Sequence, residues 1–293
     1  SRQFKLCKTL KENDLPMRSV KFSVDGDKIV SSTENGTIRI WDVASGKALQ
    51  TFKHDASIFM AEFSPDGRMV VSCVKGNNIV LWDVESGKEV MKLEGHLDPV
   101  CNANFSPDGK YITSCSFDGT IRIWDVDSRN EIQLLAGHLA SVYSAQFSPD
   151  GQMIVSASED HIIVIWDAKS GQILKQLRGH LGPVTRAKFS PDGQSIVSCS
   201  KDKTVRLWNI ELGTCMRILG GHCNSVRDVK YFPDGQTVVS CSNDRTIRLW
   251  NVKSGEEIQR LEHSDQVTNI DVSPNGQIIV SCSRDCKIKI WKI

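Results

Sequence analysis

Residues 95–136 read GHLDPVCNANFSPDGKYITSCSFDGTIRIWDVDSRNEIQLLA, and close variants of this segment follow one another along the chain. Each variant has one tryptophan, and the seven tryptophans are spaced 41 or 42 residues apart, at positions 41, 82, 124, 166, 208, 250 and 291. A period held over a whole sequence indicates a repeat architecture. The 293 residues are therefore predicted to form a single domain, residues 1–293, made of seven similar units.

Each unit is predicted to contain four short β-strands. The turn at residues 106–109, Ser-Pro-Asp-Gly, recurs with small changes at 64–67, 148–151, 190–193, 232–235 and 273–276. Proline fixes φ at the second turn position, and Asp and Gly tolerate the conformations that follow, so this segment is a hairpin turn. The flanking segments alternate with period two and are rich in Ile, Val and Ser, as strands are. No segment has a sustained helical period, which makes the fold class all-β.

The pairs Gly95-His96 and Trp124-Asp125, repeated at fixed spacing, resemble the landmarks of the WD-repeat (WD40) family, and the resemblance covers the whole chain. It implies a seven-bladed WD40 β-propeller, with four-stranded antiparallel blades around a central channel. The last unit stops at its third strand, whereas residues 4–10 match the fourth-strand segment 171–177. We therefore expect the N-terminal strand, residues 2–10, to complete the last blade and close the ring, which removes an exposed edge.

Five units carry His, Ser, Asp and Trp at matching positions. They are His96, Ser114, Asp118 and Trp124; His138, Ser156, Asp160 and Trp166; His180, Ser198, Asp202 and Trp208; His222, Ser240, Asp244 and Trp250; and His263, Ser281, Asp285 and Trp291. Ser, His and Asp together suggest a nucleophile, a base and an orienting carboxylate. A catalytic group occurs once per site, however, and this set occurs five times. The family resemblance implies a buried structural tetrad, hydrogen-bonded from Asp through His and Ser to Trp, and we expect no catalytic residue.

The first two units depart from this pattern. Asn13 and Asn35 stand at the His and Asp positions of the first unit, and Gly76 stands at the Asp position of the second. The hydrogen-bond networks of these two units are therefore expected to be partial.

The ten cysteines include no Cys-x-x-Cys pair, which argues against a zinc site. Five of them occupy one equivalent column that also accepts Ser32 and Ala157, namely Cys73, Cys115, Cys199, Cys241 and Cys282. A column of small residues is typical of a core position, where free thiols pack well. We expect inert core thiols, no metal or cofactor, and a reducing location in the cytoplasm or nucleus.

The resemblance places the partner site on the top face of the ring, around the channel. The positions that display side chains there include Phe59, Phe117, Tyr143, Cys101, Arg18, Arg227, Arg284 and Lys201. The aromatic residues fall on three consecutive units, and exposed aromatics that cluster are candidates for an interaction site. The other side of the ring is basic. The predicted partner is a protein or peptide motif with an apolar anchor and acidic residues.

The composition disfavours other functions. Basic residues number 36 and acidic residues 35, so no net charge favours nucleic acid or a membrane surface. Basic residues also stand two positions before five of the tryptophans, and this even distribution predicts packing and pairing between blades: Arg39, Arg122, Arg206, Arg248 and Lys289. No small-molecule substrate is expected.

We therefore predict a non-catalytic protein–protein interaction scaffold, a monomeric ring that acts alone or within a larger complex. One alternative is a regulatory or sensor propeller domain excised from a larger multidomain protein. Another is a propeller hydrolase, which is disfavoured because no single carboxylate pair, metal cluster or phosphate-binding loop stands out from the repeats.

Overall fold

The computed structural model describes residues 3–11 and 15–293, and within these ranges it consists of 28 β-strands without a helix. The strands form seven separate sheets of four strands, and all paired strands are antiparallel. The prediction of an all-β, seven-bladed propeller is confirmed. A search of the described residues for a helix able to cross a membrane found none.

The strands of each blade follow one another from the channel outward. The strands of blades 1 to 3 are β2 (Met17–Phe22), β3 (Lys28–Thr33), β4 (Thr37–Asp42), β5 (Ala48–Lys53); β6 (Ile58–Phe63), β7 (Met69–Val74), β8 (Asn78–Asp83), β9 (Glu89–Glu94); and β10 (Val100–Phe105), β11 (Tyr111–Ser116), β12 (Thr120–Asp125), β13 (Glu131–Ala136). Those of blades 4 and 5 are β14 (Val142–Phe147), β15 (Met153–Ser158), β16 (Ile163–Asp167), β17 (Ile173–Leu177); and β18 (Val184–Phe189), β19 (Ser195–Ser200), β20 (Val205–Asn209), β21 (Thr214–Leu219). Those of blades 6 and 7 are β22 (Val226–Tyr231), β23 (Thr237–Ser242), β24 (Thr246–Asn251), β25 (Glu257–Glu262); and β26 (Val267–Val272), β27 (Ile278–Ser283), β28 (Lys287–Lys292), with β1 (Lys5–Lys11).

The N-terminal strand closes the ring, as predicted. Strand β1 pairs antiparallel with β28 and forms the outer strand of blade 7. It runs from Lys5 to Lys11, one residue beyond the predicted end, and the predicted first residue, Arg2, lies outside the described residues. Just before β1, the backbone N–H of Phe4 donates to Oε1 of Gln259 (2.9 Å), and Nε2 of Gln259 donates to the carbonyl of Phe4 (2.7 Å). These bonds tie the closing segment to blade 6 as well.

The predicted Ser-Pro-Asp-Gly turns join the first and second strands. In blade 3, Oγ of Ser106 donates to Asp108 (2.6 Å) and accepts from the backbone N–H of Tyr111 (2.9 Å). Gly109 has a φ of 74°, which only glycine adopts without strain. The turn sequence recurs because most blades use the same hydroxyl, side-chain oxygen acceptor and glycine, with Asn275 as the acceptor in blade 7 and Phe232 in place of the hydroxyl residue in blade 6.

The hydrophobic core lies between the blades. Each cluster of buried residues combines two adjacent blades, so that Val71 and Leu81 of blade 2 pack with Ile112 and Trp124 of blade 3. The five predicted core cysteines are fully buried. Burial raises their thiol pKa values, as for Cys199, to about 12, so these groups stay neutral and pack as small apolar side chains.

The strand order places the loops on two opposite faces. Because neighbouring strands are antiparallel, the loops from second to third strand share one face with the loops that lead from each fourth strand to the next blade. We call this the top face, and the Ser-Pro-Asp-Gly turns lie on the opposite face. The first strands contact one another in ring order around the central channel.

Candidate partner-binding site on the top face

The innermost strand of every blade contains a β-bulge near its top end. In blade 3, Val100 pairs with Ser116 and Asn102 pairs with Cys115, so Cys101 is left out of the register. The same shift occurs in the other six blades. A bulge re-aims the side chain of the extra residue. The seven bulge residues are Arg18, Phe59, Cys101, Tyr143, Thr185, Arg227 and Thr268.

All seven bulge residues line a cavity of about 320 Å³, which we call the top cavity. Phe117 and Lys201, from the top-face loops of blades 3 and 5, complete its lining together with Arg186. Among the described residues, this lining includes four basic side chains and no acidic one. The bulges therefore concentrate the residues that differ between repeats at one place.

Some bulge residues bridge to the next blade. The thiol of Cys101 donates to the carbonyl of Val142 (2.9 Å), and the hydroxyl of Thr185 donates to that of Val226 (2.7 Å). The hydroxyl of Thr268 bonds in the same way to Met17 (3.0 Å). These three side chains hold neighbouring blades together and also line the cavity beside the larger bulge residues.

Three aromatic rings form one wall of the top cavity. The ring centroids of Phe59 and Phe117 are 6.3 Å apart, and those of Phe117 and Tyr143 are 6.1 Å apart, both pairs edge to face. Such geometry is favourable for aromatic pairs. Phe117 is 38% exposed, so this wall presents apolar surface to solvent. An apolar side chain of a partner would find its contact here.

A cation lies at each end of the aromatic wall. The guanidinium of Arg18 stacks over Phe59 (5.8 Å to the ring centroid) and pairs with Glu34 (2.8 Å). The ammonium of Lys201 lies over the ring of Tyr143 (5.2 Å). Burial, together with the negative charge of Glu159, raises the pKa of Tyr143 to about 12, so its hydroxyl keeps its proton.

The structure brings seven of the eight predicted partner-binding residues together in the top cavity: Phe59, Phe117, Tyr143, Cys101, Arg18, Arg227 and Lys201. The eighth, Arg284, is exposed and lies outside this lining. Arg186 lines the cavity but was not identified from the sequence. The feature that distinguishes Arg186 in the sequence is its charge: it directly follows a bulge residue, at a position where other blades have Ser144 or Asn102. Partner binding by these residues stays a prediction.

The five complete tetrads form buried hydrogen-bond chains. In blade 5, Nε1 of Trp208 donates to Oγ of Ser198 (2.8 Å), which bonds to Nε2 of His180 (2.8 Å), and Nδ1 of His180 bonds to Asp202 (2.7 Å). The carboxylate of Asp202 also accepts the backbone N–H of Leu181 (3.0 Å). The same chain occurs in blades 3, 4, 6 and 7. A carboxylate acceptor at Nδ1 fixes the tautomer that lets Nε2 accept from serine.

The electrostatics favour a neutral histidine in the tetrads of blades 3, 5 and 7. Burial lowers the pKa of His180 below its usual 6.5, although the hydrogen bond to Asp202 opposes this shift. Burial also disfavours the charge on Asp160, but the interaction with His138 and the backbone N–H groups of Ile162 and Leu139 together outweigh it and lower the pKa of Asp160 to about 2. Because the serine of each tetrad is buried between an indole and an imidazole, it is not placed to attack a substrate.

Blades 1 and 2 hold partial networks, as their sequences indicate. In blade 2, Trp82 donates to Ser72 (2.9 Å), but Nδ1 of His54 accepts from the backbone N–H of Ala56 (3.0 Å). In blade 1, Trp41 donates to Ser31 (2.9 Å). Asn35, which replaces the aspartate there, accepts from Thr33 (2.6 Å), and Asn13 lies outside the described residues.

Of the basic residues before the tryptophans, Arg122 and Arg248 form ion pairs within their own blades, which differs from the predicted pairing between blades. Lys289 does reach the neighbouring blade, because its ammonium donates to the carbonyl of Glu262 in blade 6 (2.8 Å). Arg248 contacts Glu257 (2.8 Å) and Asp244 (3.9 Å), both in blade 6. Lys289 lies over the ring of Trp291 (5.4 Å). The side chains run along the sheet because the third and fourth strands place their partners directly beside them.

Below the top cavity, the central channel carries compensated charges that the sequence reading did not identify. Asp228 is fully buried and accepts from Nζ of Lys188 (2.7 Å) and from Nδ2 of Asn269 (2.6 Å), with Nζ of Lys21 at 3.7 Å. Lys230 pairs with Asp271 in the same way. In the sequence, these channel charges can be recognised as charged residues at alternate positions of the first strands.

The channel charges shift one another's pKa values. Burial opposes the charge of Asp228, but the attraction of Lys188 and Lys21 outweighs it and holds the pKa of Asp228 well below its ordinary value. Burial lowers the pKa of Lys188 to about 8, despite the attraction of Asp228. Within residues 3–11 and 15–293, no group of three or more His, Cys, Asp or Glu is arranged to hold a metal ion.

Comparison with known proteins gives a match along the chain. The family model described as "WD domain, G-beta repeat" matches residues 4–42, 46–83, 87–125, 129–167, 171–209, 213–251 and 255–292. Each matched repeat begins near the fourth strand of one blade and ends in the third strand of the next blade. Because the repeats are offset from the blades in this way, the first repeat begins with β1, which is the fourth strand of blade 7.

One curated relative matches a shorter segment. The protein named "Dynein assembly factor with WD repeat domains 1", from Xenopus laevis, is 34% identical over 61 residues. This segment is 21% of the present chain and covers only 15% of that protein. The likeness is therefore limited to a small part of both chains.

Proposed function

The chain belongs to the WD40 repeat family, whose propellers commonly act as protein-interaction scaffolds, and from that premise we propose that its top cavity binds a peptide segment of a partner protein. The partner segment supplies an apolar side chain to the wall of Phe59, Phe117 and Tyr143, and acidic groups to the neighbouring cations. The scaffold has no catalytic role of its own. Ten free cysteines favour a reducing compartment, in the cytoplasm or nucleus.

The observation that carries this proposal is the convergence of the seven bulge residues on one cavity. Elsewhere the repeats use nearly the same residues, because each turn and tetrad solves the same structural problem. At the bulges the side chains range from Thr to Arg and Phe, and the rings of the bulge residues Phe59 and Tyr143 each contact the ring of Phe117. Large rigid side chains beside cations are typical of binding hot spots.

The test is a quantitative capture experiment with three forms of the protein. The wild type, the double variant Phe117→Ala with Tyr143→Ala, and a control with Leu212→Ala are immobilised at equal density in a matching lysate. Leu212 is an exposed apolar residue (71%) in the turn between β20 and β21, on the face opposite the top cavity. We expect the specific partners to be lost from the double variant and retained by the control.

Equal retention by all three forms would show that the top cavity is not the binding site. Circular dichroism and unfolding in urea check that the double variant remains folded. A direct binding assay with the captured partner then separates direct from indirect capture.

The similar protein from Xenopus laevis suggests a narrower form of the same function. Its name describes a dynein assembly factor. On that likeness, an assembly role in which the propeller holds one component of a complex is a specific form of the scaffold function. The regulatory-domain alternative uses the same surface, with the partner segment belonging to the same polypeptide.

A further inference from the structure

The side chains that line the top cavity carry more positive charge than the neighbouring carboxylates offset. Of its four basic side chains, Arg18 is paired with Glu34 (2.8 Å). The channel below differs, since Asp228 and Asp271 are each paired with lysine. The unneutralised charge is therefore located in the top cavity and not in the channel.

Arg227 and Arg186 carry most of this excess. Within the described residues, the side chain of Arg227 has neither an ion pair nor a hydrogen bond, although it is only partly exposed. Nη1 of Arg186 donates to the carbonyls of Tyr143 (2.9 Å) and Thr185 (2.8 Å), which orients the guanidinium. The negative charge that acts on Arg186 is that of Asp228, which already pairs with Lys188. Burial lowers the pKa of Arg227, and the positive charges of Arg186 and Arg18 lower it further.

We propose that Arg227 and Arg186 bind the phosphoryl group of a phosphorylated serine in the partner peptide, with an apolar side chain of the same peptide against Phe59, Phe117 and Tyr143. This inference rests on the function proposed above and names the chemistry of its acidic element. The cavity of about 320 Å³ is too small for a folded element and suits individual side chains.

A phosphoryl group matches the cavity better than a carboxylate does. With Glu34 paired to one of the four cations and the carboxylate of Glu159 beside Tyr143, an excess of about two positive charges remains. A phosphoserine carries about −1.5 to −2 charges and three acceptor oxygens at neutral pH, whereas a carboxylate carries one charge. Guanidinium groups form paired hydrogen bonds with phosphate oxygens, which two adjacent arginines can supply from two directions.

The experiment uses two synthetic peptide libraries with the same randomised flanks and either phosphoserine or serine at the centre. Both are passed over the immobilised protein, and the most enriched peptide is resynthesised with phosphoserine, serine or glutamate at its centre. Fluorescence anisotropy then gives each dissociation constant. We expect the phosphorylated form to bind at least about tenfold more tightly than the other two.

Variants assign the effect to the two arginines. Arg227→Gln and Arg186→Gln should each weaken binding of the phosphopeptide about tenfold or more and weaken binding of the serine form less, so that the preference for phosphoserine falls. Arg227→Lys should lie between these variants and the wild type, because it keeps the charge and loses the paired geometry. Lys169→Gln, at an exposed lysine on the opposite face, is the control and should bind as the wild type does.

The proposal is overturned if the phosphoserine library is not enriched, or if Arg227→Gln binds the phosphopeptide as the wild type does. Titration with inorganic phosphate addresses the other source of the same chemistry. If inorganic phosphate stabilises the wild type while neither library is enriched, the site takes a free anion and the peptide proposal fails. If partners captured through Phe117 and Tyr143 are indifferent to phosphatase treatment, this inference fails while the scaffold function stands.

Discussion

Arg227 and Asp228 are neighbours in β22, yet they belong to two regions with opposite electrostatic character. Asp228 is fully buried in the channel wall and bonds to Lys188, to Asn269 and to the backbone N–H of Val229 (2.8 Å). The bulge directs Arg227 into the top cavity, where no described residue pairs with it. A buried charge that is paired with opposite charges contributes to the stability of the fold. An unpaired charge that faces a cavity is available to bind a ligand.

The largest expected effect comes from removing the compensated group. Asp228→Ala removes the buried carboxylate that pairs with Lys188 (2.7 Å) and lies 3.7 Å from Nζ of Lys21. Breaking a buried pair from one side costs about 3–5 kcal/mol. We expect a loss of this size in the free energy of unfolding, measured by urea denaturation of the wild type and the variant.

Asp127→Asn is the matched control for this change, since Asp127 is exposed in the turn after β12. Its free energy of unfolding should stay within about 0.5 kcal/mol of the wild type. If Asp228→Ala behaves like this control, the channel charges do not stabilise the ring.

The tetrads allow a complete hydrogen-bond network and a partial one to be compared at the same structural position in two blades. Ser198→Ala in blade 5 removes a partner from both Trp208 and His180 and should cost about 2–4 kcal/mol, since two buried groups lose a bond. Ser72→Ala in blade 2 removes the partner of Trp82 and should cost about 1–2 kcal/mol. Urea denaturation of both variants measures the difference, and equal losses would show that the histidine bond contributes nothing.

The pH dependence of stability tests the charge state of the tetrads. Burial lowers the pKa values of His96, His180 and His263 below 6.5, so the unfolded chain binds more protons than the folded one as the pH falls below that value. Stability is therefore fully present above about pH 6.5 and declines below it, by at most about 1.4 kcal/mol per pH unit for each histidine. Unfolding in urea at pH 7.5, 6.5 and 5.5 measures this slope.

The variant His180→Gln tests whether the tetrads produce this slope. It should reduce the pH dependence of stability, because it removes one of the imidazoles whose pKa is lowered by burial in the folded chain. An unchanged slope in His180→Gln would mean that this imidazole titrates equally in the folded and unfolded chains.

The parts of the fold that could be predicted from the sequence are those that every repeat needs. The indole-to-serine bond, the turn hydroxyl and the small core residue recur, so the positions of Trp124, Ser106 and Cys115 defined the blades. The closing strand could be found because a fourth-strand pattern stood before the first blade.

The candidate site could be predicted only where a residue departs from the repeat in an obvious way. Phe59, Phe117 and Tyr143 are aromatics outside the core columns, and they do lie together. Arg186 and Asp228 were missed because their roles depend on which neighbouring blade supplies a partner, a relation that no single repeat shows. Arg284 lies outside the top cavity although its position in the repeat corresponds to that of Lys201.

The smallest expected effect on stability completes the comparison. Arg227→Gln removes a cation that lacks a partner and is repelled by Arg186 and Arg18, so the free energy of unfolding should stay within about 0.5 kcal/mol of the wild type or rise slightly. Urea denaturation without any added anion measures it, beside Asp228→Ala. A loss above about 1.5 kcal/mol would mean that Arg227 stabilises the ring itself, and the division between a structural channel and a ligand-binding cavity would then be wrong at its central residue.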